Sequence, residues 1–437
     1  MTELEWARLT MAFSLAFHIV FASISVVMPF FMASALKGWY KHGRETDRHL
    51  AVAWSKGVAL LFATGAVSGT ALSFQLGLLW PGFMEHAGPI IGMPFSLEGA
   101  AFFLEAIFLG LFLYGWNRLT PRYHLMSAYA VGLCGVASAV LVIAANAWMN
   151  SPAGFDWVNG RAENIDPIAA MFNSAWPMMS LHMTIASFQA TGFAAAGFHA
   201  FALWRGKNSD FHQRALVIIL PFAVVASLIQ PIIGDLSAKD VAHRQPEKLA
   251  AMEAHFHTEK GADLIIGGWP NTETGEVNYA LHLPKMLSFL ATGDFNAEVK
   301  GLFSFPLEER PPVLITHLSF QTMVGLGTIL ALVSLAWIFM VIYKVQWTRQ
   351  AWFLKLLVLL TPTGFIALEA GWFVTEVGRQ PWIIYKVMKV SEAVTPVPGL
   401  SWVFMSILFL YFILGSISFA LLWKIFTLEP THREVSA

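Results

Sequence analysis

Long apolar runs separated by polar segments dominate this sequence. Nine of the runs are long enough to cross a bilayer as helices, at about residues 10–36, 52–78, 96–116, 124–149, 178–204, 214–235, 312–343, 351–377 and 402–426. The sequence shows no internal repeat and no low-complexity tract. The pattern therefore predicts an all-α fold, a polytopic membrane protein with nine transmembrane helices.

The spacing of the runs divides the chain into three parts. Residues 1–235 contain the first six predicted transmembrane helices, residues 236–311 form one long loop, and residues 312–437 contain the last three helices and a tail. The loop has a predicted helical stretch of its own, from Glu247 to Phe256. Because loops of this length with internal structure are usually functional, we expect this loop to contribute to the site.

The distribution of Lys and Arg predicts the orientation. The loops after odd-numbered runs contain Arg44, Arg48, Arg118, Arg122, Arg205, Arg214, Lys344 and Arg349. The loops on the other side have fewer basic residues, although Lys386 and Lys389 run against the trend. By the positive-inside rule, the N-terminus and the long loop lie outside and the C-terminus is cytoplasmic. The acidic N-terminal residues do not resemble a signal peptide, so we expect the first span to be retained.

The composition limits which partners and which metal ligands are possible. Only 13% of the residues are charged, about half the roughly 25% of a soluble domain. The net charge is -1 and there is no basic stretch, which excludes a nucleic-acid partner. The single cysteine, Cys134, cannot form an internal disulfide, a Cys-based iron–sulfur cluster or a Cys-rich zinc site. Any metal is therefore held by His, Met or carboxylate groups.

Ionisable side chains inside the predicted transmembrane helices are the first candidates for function, because such groups are costly in lipid. These residues are His18, Glu98, Glu105, His182, Glu369 and Glu376. The alternative is that a neighbouring helix satisfies each group or that it snorkels to the interface. The predicted orientation places six polar or ligating residues in the outer half of the bilayer, namely His18, Glu98, Asn146, His182, Met323 and Glu376. Snorkelling alone would scatter them over both halves.

Imidazole and thioether groups at this level are suited to iron. A neutral imidazole donates one ring nitrogen to the metal while a second group holds the other nitrogen. Methionine is a softer ligand that pairs with His and raises the potential of a heme. The chain has 18 methionines, most of which are expected to pack or to face lipid. Met323 is distinguished because it lies at the same predicted level as His182.

Glu98 and Glu105 are seven residues apart, which is two turns of one helix, so both carboxylates face the same way at different depths. Two acids in line suggest a proton relay. The alternative is that one of them pairs with an arginine or with a helix terminus.

The segment from Gly371 to Trp382 is the most specific in the chain. Trp372 and Glu376 share a helical face, and Arg379 lies one turn further on. A buried carboxylate beside a guanidinium and two indoles could bind iron and hold heme propionates. An interfacial aromatic belt with a surface ion pair would explain the tryptophans but not a buried Glu376.

Taken together, these motifs resemble subunit I of the cytochrome bd-type quinol oxidases over essentially the whole chain. The motifs are Arg8 with His18, Ser96-Leu97-Glu98-Gly99, Phe102-Phe103-Leu104-Glu105, Asn146 with Trp148-Met149-Asn150, His182, Gly234-Asp235, Lys248 to Glu253, Met323-Val324-Gly325-Leu326-Gly327 and Gly378-Arg379-Gln380-Pro381-Trp382. The long loop matches the short version of the family's quinol loop, the form that includes members described as cyanide-insensitive.

The resemblance implies three hemes. His182 and Met323 would be the axial ligands of a low-spin heme b, and His18 and Glu376 would hold a high-spin heme b and a heme d, in an order that differs between family members. The resemblance assigns other positions as well: Arg8 and Asn146 bind cofactor, Glu98, Glu105, Trp372 and Arg379 take part in catalysis, and Lys248 and Glu253 meet quinol. Without the family, Lys248 and Glu253 are two charges on a solvated helix.

One position departs from the family. Where well-known members have Arg two residues before the axial methionine, this chain has Gln321. Losing a fixed positive charge is expected to lower the potential of the low-spin heme, unless His317 or a cation of the loop compensates.

The resemblance also implies partners, location and mechanism. The partners are oxidase subunit II, often a small single-span subunit, the substrates quinol and oxygen, and membrane lipid, in a bacterial cytoplasmic membrane. Quinol would be oxidised near the outer surface and oxygen would take protons from the cytoplasm, so charge separates without a pump. A proton-coupled secondary transporter is the alternative, because intramembrane Glu and His also form proton relays.

Overall fold

A computed structural model of the chain describes residues 1–158, 160–207, 210–393 and 397–427. The helices are α1 Glu3–His42, α2 Glu45–Leu79, α3 Pro81–Leu113, α4 Pro121–Asn150, α5 Pro167–Met171, α6 Trp176–Trp204, α7 Asp210–Arg244, α8 Pro246–Met252, α9 Met286–Thr292, α10 Val313–Ile342, α11 Ala351–Leu359, α12 Thr363–Val377, α13 Val390–Ala393 and α14 Leu400–Thr427. The predicted cytoplasmic tail lies outside the described residues.

Short antiparallel hairpins and pairs complete the fold. The strands are β1 Asp156–Val158, β2 Arg161–Glu163, β3 Glu259–Lys260, β4 Leu264–Asn271, β5 Glu276–Leu283, β6 Glu298–Val299, β7 Trp382–Ile384 and β8 Met388–Lys389. They pair as β1 with β2, β3 with β6, β4 with β5 and β7 with β8. All of these strands belong to connections between long helices, so the bundle itself is helical.

Eight helices of the described residues are long and apolar enough to cross a membrane, with α11 and α12 counted as one. They confirm a mostly helical membrane protein. The ninth predicted span, near residues 178–204, is present as α6 but does not belong to this set of eight. His182, Gln189 and His199 lower the hydropathy of this helix, and a count of nine spans remains a prediction.

Several helix ends differ from the apolar runs. α3 begins at Pro81 rather than near residue 96, because proline favours the first turn of a helix. The sequence pattern missed this start, since the segment that follows Pro81 is too polar to be recognised as part of a membrane span. α7 continues to Arg244, well past residue 235. Ion pairs with a spacing of four residues, such as Lys239 with Asp235 at 2.6 Å, support this polar extension.

Tight packing joins the long helices around α1, which contacts α2, α4, α6 and α14. Its central cluster contains large side chains that are fully buried, among them Phe31, Trp54, Phe193, Phe211 and Phe353. α6 packs on α7, α3 on α4, and α10 on α12. This arrangement brings the faces of α1, α3, α4, α6, α7, α10 and α12 around one interior space.

The segment between α7 and α10 folds onto the end of the bundle. Its helix α8 covers Pro246–Met252, shorter than the predicted stretch to Phe256. The chain turns after it, and Ala254 has a positive φ of 49°. α8 packs against α7 and α10, and β4 also lies on α10. The loop is therefore a structured wall rather than a free connector.

Candidate functional site

A large cavity opens between these helices, with a volume of about 1730 Å³. Ordinary small-molecule sites have about 300–1,000 Å³, so this cavity has room for more than one large ligand. All twelve side chains predicted for the site line it: Arg8, His18, Glu98, Glu105, Asn146, His182, Lys248, Glu253, Met323, Trp372, Glu376 and Arg379. Residues far apart in the sequence are thus brought to one place, while Glu369 lines a separate groove between α10 and α12.

His18 is oriented as a metal ligand requires. Its Nδ1 lies 2.8 Å from the hydroxyl of Ser68, and that hydroxyl donates to the carbonyl of Thr64 at 2.9 Å. Because the serine proton is used on Thr64, the serine oxygen accepts from Nδ1–H, and Nε2 keeps its lone pair for iron. A Cβ at Gly69 would lie 3.3 Å from Cε1 of His18, so glycine keeps the space beside the ring open.

His182 and Met323 face the cavity from α6 and α10. The side-chain amide of Gln230 lies over the His182 ring, 3.3 Å from Nε2 and 3.4 Å from Nδ1. A Cβ at Gly371 would lie 2.8 Å from the sulfur of Met323, so only glycine leaves the thioether its present position. An imidazole and a thioether that both line the cavity form a donor set suited to iron.

Glu376 is fixed on two sides. Asn146 donates from Nδ2 to one carboxylate oxygen at 2.5 Å, and Arg379 donates from Nη2 to the other at 2.6 Å. The Nε and Nη1 groups of Arg379 are buried and have no hydrogen-bond partner among the described residues. Since a buried guanidinium needs acceptors for its donors, these two groups fit an anion in the cavity, such as a heme propionate.

A chain of hydrogen bonds continues from Glu376 to the loop. Asn150 donates to the amide oxygen of Asn146 at 3.2 Å, and Lys248 donates to the amide oxygen of Asn150 at 3.2 Å. Lys248 also donates to the carbonyl of Thr375 at 3.1 Å. Each donor points toward Glu376, so the chain stabilises its negative charge.

The sequence analysis did not identify Asn150 as a site residue. The available signal was its spacing of four residues from Asn146, which places both amides on one face of α4. Gln245 was missed as well, and it donates to the backbone carbonyl of Asn150 at 2.9 Å.

The interpretation of Lys248 and Glu253 as charges on a solvated helix is wrong. Both side chains are 4% exposed, because α8 is packed between the bundle and the rest of the loop. Burial, and then the nearby Arg379, lowers the pKa of Lys248 to about 7. Burial raises the pKa of Glu253 to about 8, and one of its carboxyl oxygens has no partner among the described residues. Both groups can therefore change charge near neutral pH.

Glu98 and Glu105 lie along one wall of the same cavity. Glu98 accepts a hydrogen bond from Ser138 at 2.9 Å, while Glu105 is 4% exposed. Among the described residues, neither forms an ion pair with an arginine, so the alternative of an arginine pair does not apply. The role of these two acids in a proton relay stays a prediction.

Comparison with known proteins agrees with this geometry. The family described as cytochrome bd terminal oxidase subunit I matches residues 6–430. The chain belongs to that family, a class of membrane-bound respiratory oxidases.

Individual relatives extend the match over the full length. A putative cytochrome bd menaquinol oxidase subunit I of Bacillus subtilis is 34% identical and covers 100% of this chain and 99% of its own. The cytochrome bd-II ubiquinol oxidase subunit 1 of Escherichia coli is 28% identical over 89% of each chain. The solved structure of the bd oxidase from Geobacillus thermodenitrificans has a TM-score of 0.92 and 39% identity, with 98% of this chain and 99% of that chain covered.

The chain is therefore a heme-containing subunit of a respiratory quinol oxidase, an enzyme that transfers electrons from quinol to oxygen in a membrane together with other oxidase subunits. The transporter alternative is not favoured.

Proposed function

We propose that His182 and Met323 hold a low-spin heme b, and that His18 and Glu376 hold a high-spin heme b and a heme d. The observation that carries the proposal is that all four side chains line one cavity of about 1730 Å³. Three further observations support it: the hydrogen bond that orients His18, the place of Met323 in the cavity lining, and the two buried Arg379 donors that have no partner among the described residues. Bound heme supplies the iron that carries electrons and reduces oxygen.

Quinol oxidation takes place where the loop closes the cavity. Glu253 accepts a proton from the quinol hydroxyl, because its pKa of about 8 leaves it able to take and release a proton near neutral pH. Lys248 lies at the start of the hydrogen-bonded chain to Glu376. The quinol is menaquinol or ubiquinol, the two classes for which the relatives are named.

The protons for oxygen reduction are taken up along the part of the cavity that α3 lines. Glu105 receives protons from the cytoplasmic side, and Glu98 passes them on to the site of oxygen reduction. Both side chains line the cavity, two turns apart on α3. Quinol protons leave on the outer side, so charge is separated without a pump. Arg8 and Trp372 line the same space; Arg8 would bind a cofactor and Trp372 would take part in catalysis.

The assembly is that of an inner-membrane oxidase. Nine transmembrane helices, with the N-terminus outside and the C-terminus in the cytoplasm, place the loop on the outer face of a bacterial cytoplasmic membrane. The partners are oxidase subunit II and a small single-span subunit.

A reduced-minus-oxidised optical spectrum of the purified complex tests the heme assignment. We expect His182→Ala and Met323→Ala each to remove the low-spin heme b signal. The controls His243→Ala and Met126→Ala replace exposed residues of the same types and should leave the spectrum unchanged. An unchanged low-spin signal in both ligand variants would reject these ligands.

A further inference from the structure

Two side chains one turn apart on α10 reach the loop. Gln321 uses both ends of its amide on the backbone of β4: its Oε1 accepts from the amide of Gly267 at 3.0 Å, and its Nε2 donates to the carbonyl of Ile265 at 2.9 Å. The side chain thus pairs with the strand as a peptide group would.

His317 makes the second attachment. Its Nε2 lies 3.0 Å from the carbonyl of Gly267, and its Nδ1 lies 2.8 Å from the carbonyl of Met252 at the end of α8. The ring is fully buried. A carbonyl oxygen only accepts, so a bond to either carbonyl uses an N–H of the ring.

These four hydrogen bonds hold a wall of the cavity. The cavity lining includes Met252, Glu253, Ile265 and Ile266. The four bonds attach to backbone groups of Met252, Ile265 and the neighbouring Gly267. Gly267 has a φ of +68°, a conformation that glycine adopts without strain, so the strand bends where the two side chains bind it.

We propose that Gln321 and His317 are positioning residues that fix the loop wall of the quinol site on α10. This inference rests on the proposed site of quinol oxidation at Lys248 and Glu253. Arginine has donors but no acceptor, so an arginine at position 321 would leave the Gly267 amide without its partner. Gln321 therefore attaches the loop at a position where the family resemblance led us to expect a fixed cation.

Hydrogen–deuterium exchange of the purified complex, read on peptides that cover residues 264–271, tests the attachment directly. We expect Gln321→Ala and Gln321→Arg to speed exchange in this segment, since both remove the acceptor for the Gly267 amide. Thr322→Ala is the matched control, because the Thr322 hydroxyl donates to the carbonyl of Leu318 on its own helix, and exchange should stay as in the wild type.

Quinol kinetics test the positioning role. We expect Gln321→Ala to raise KM for quinol roughly three- to tenfold, the range for losing one or two buried hydrogen bonds, with kcat within about twofold. The reduced low-spin heme signal should remain. Unchanged exchange and unchanged KM in Gln321→Ala would overturn the inference, and so would a shift of the heme potential alone in Gln321→Arg.

Glu253→Gln separates this inference from the proposed function. If kcat/KM for quinol falls in Glu253→Gln while KM stays unchanged in Gln321→Ala, the quinol site stands and the positioning role is wrong. If KM rises in Gln321→Ala with faster exchange while kcat/KM stays unchanged in Glu253→Gln, the positioning role holds and the proposed proton acceptor is wrong.

Discussion

Two carboxylates line the cavity from different helices, and their surroundings differ. Glu376 on α12 is bonded by Asn146 and Arg379, and a further chain of hydrogen bonds extends from Asn146 to Lys248. Glu105 on α3 has no hydrogen bond or ion pair to another of the described residues, although it is almost fully buried. A carboxylate that ligates a metal must stay ionised and still, whereas one that carries protons must be free to change its charge and its partners. The contrast therefore supports the proposed roles, in which Glu376 binds a heme and Glu105 transfers protons.

The largest effect is expected when Arg379 is replaced, because its ion pair helps to hold Glu376 in place. Arg379→Gln leaves the Glu376 carboxylate without its ion pair in a mostly buried place, and the loss of a partner in such a pair costs about 3–5 kcal/mol. We expect roughly 10²- to 10³-fold weaker retention of the heme held by Glu376. Heme content per complex, measured by pyridine hemochrome, checks this, and full content in the variant would contradict the role of Arg379.

Glu105→Ala tests the second carboxylate of the comparison, the one proposed to transfer protons. We expect oxygen reduction to slow roughly 10²-fold, since positioned proton transfer contributes about 10²- to 10⁴-fold, while all hemes stay bound. Oxygen uptake with excess quinol, together with the optical spectrum, gives the measurement. Glu85→Gln is a control on the same helix, because Glu85 is exposed. Normal turnover in Glu105→Ala would reject the relay.

The pH dependence of kcat/KM for quinol tests a third acid, Glu253, whose proposed role differs from those of Glu376 and Glu105. Glu253 acts as a base only when ionised, and its pKa is raised to about 8. We therefore expect kcat/KM for quinol to rise about tenfold per pH unit below pH 8 and to level off above it. Glu253→Gln should be slower and lack this rise, while Glu276→Gln, an exposed loop residue, should keep it. The same inflection in Glu253→Gln would assign it to another group.

Asn150→Ala should have the smallest effect and sharpens the role of the amide chain. It removes one neutral link between Lys248 and Asn146, a loss of about 0.5–1.5 kcal/mol. We expect a small fall in the potential at which the heme on Glu376 is reduced or a few-fold lower retention, with the low-spin heme unchanged. Redox titration of the variant beside wild type measures it, and an effect as large as that of Arg379→Gln would show that Asn150 does more than support Asn146.

The sequence alone indicated the helical membrane class, the resemblance to the family and twelve of the residues that line the cavity. These features depend on local properties: apolar length follows from bilayer thickness, and polar groups within apolar runs are costly wherever they occur. His18, His182, Met323 and Glu376 were proposed as ligands before any contact was known, from their side-chain chemistry, their predicted level in the membrane and the resemblance to the family.

Only the tertiary structure decided how those residues are partnered. Asn146 and Glu376 are 230 positions apart, and Lys248 and Asn150 are 98 positions apart, so their hydrogen bonds depend on how helices pack. The same packing buries Lys248 and Glu253, which an isolated amphipathic stretch would leave in solvent. It also gives Gln321 the backbone of β4 as a partner. Hydrophobic length is encoded within each segment, whereas burial and hydrogen bonding arise between segments.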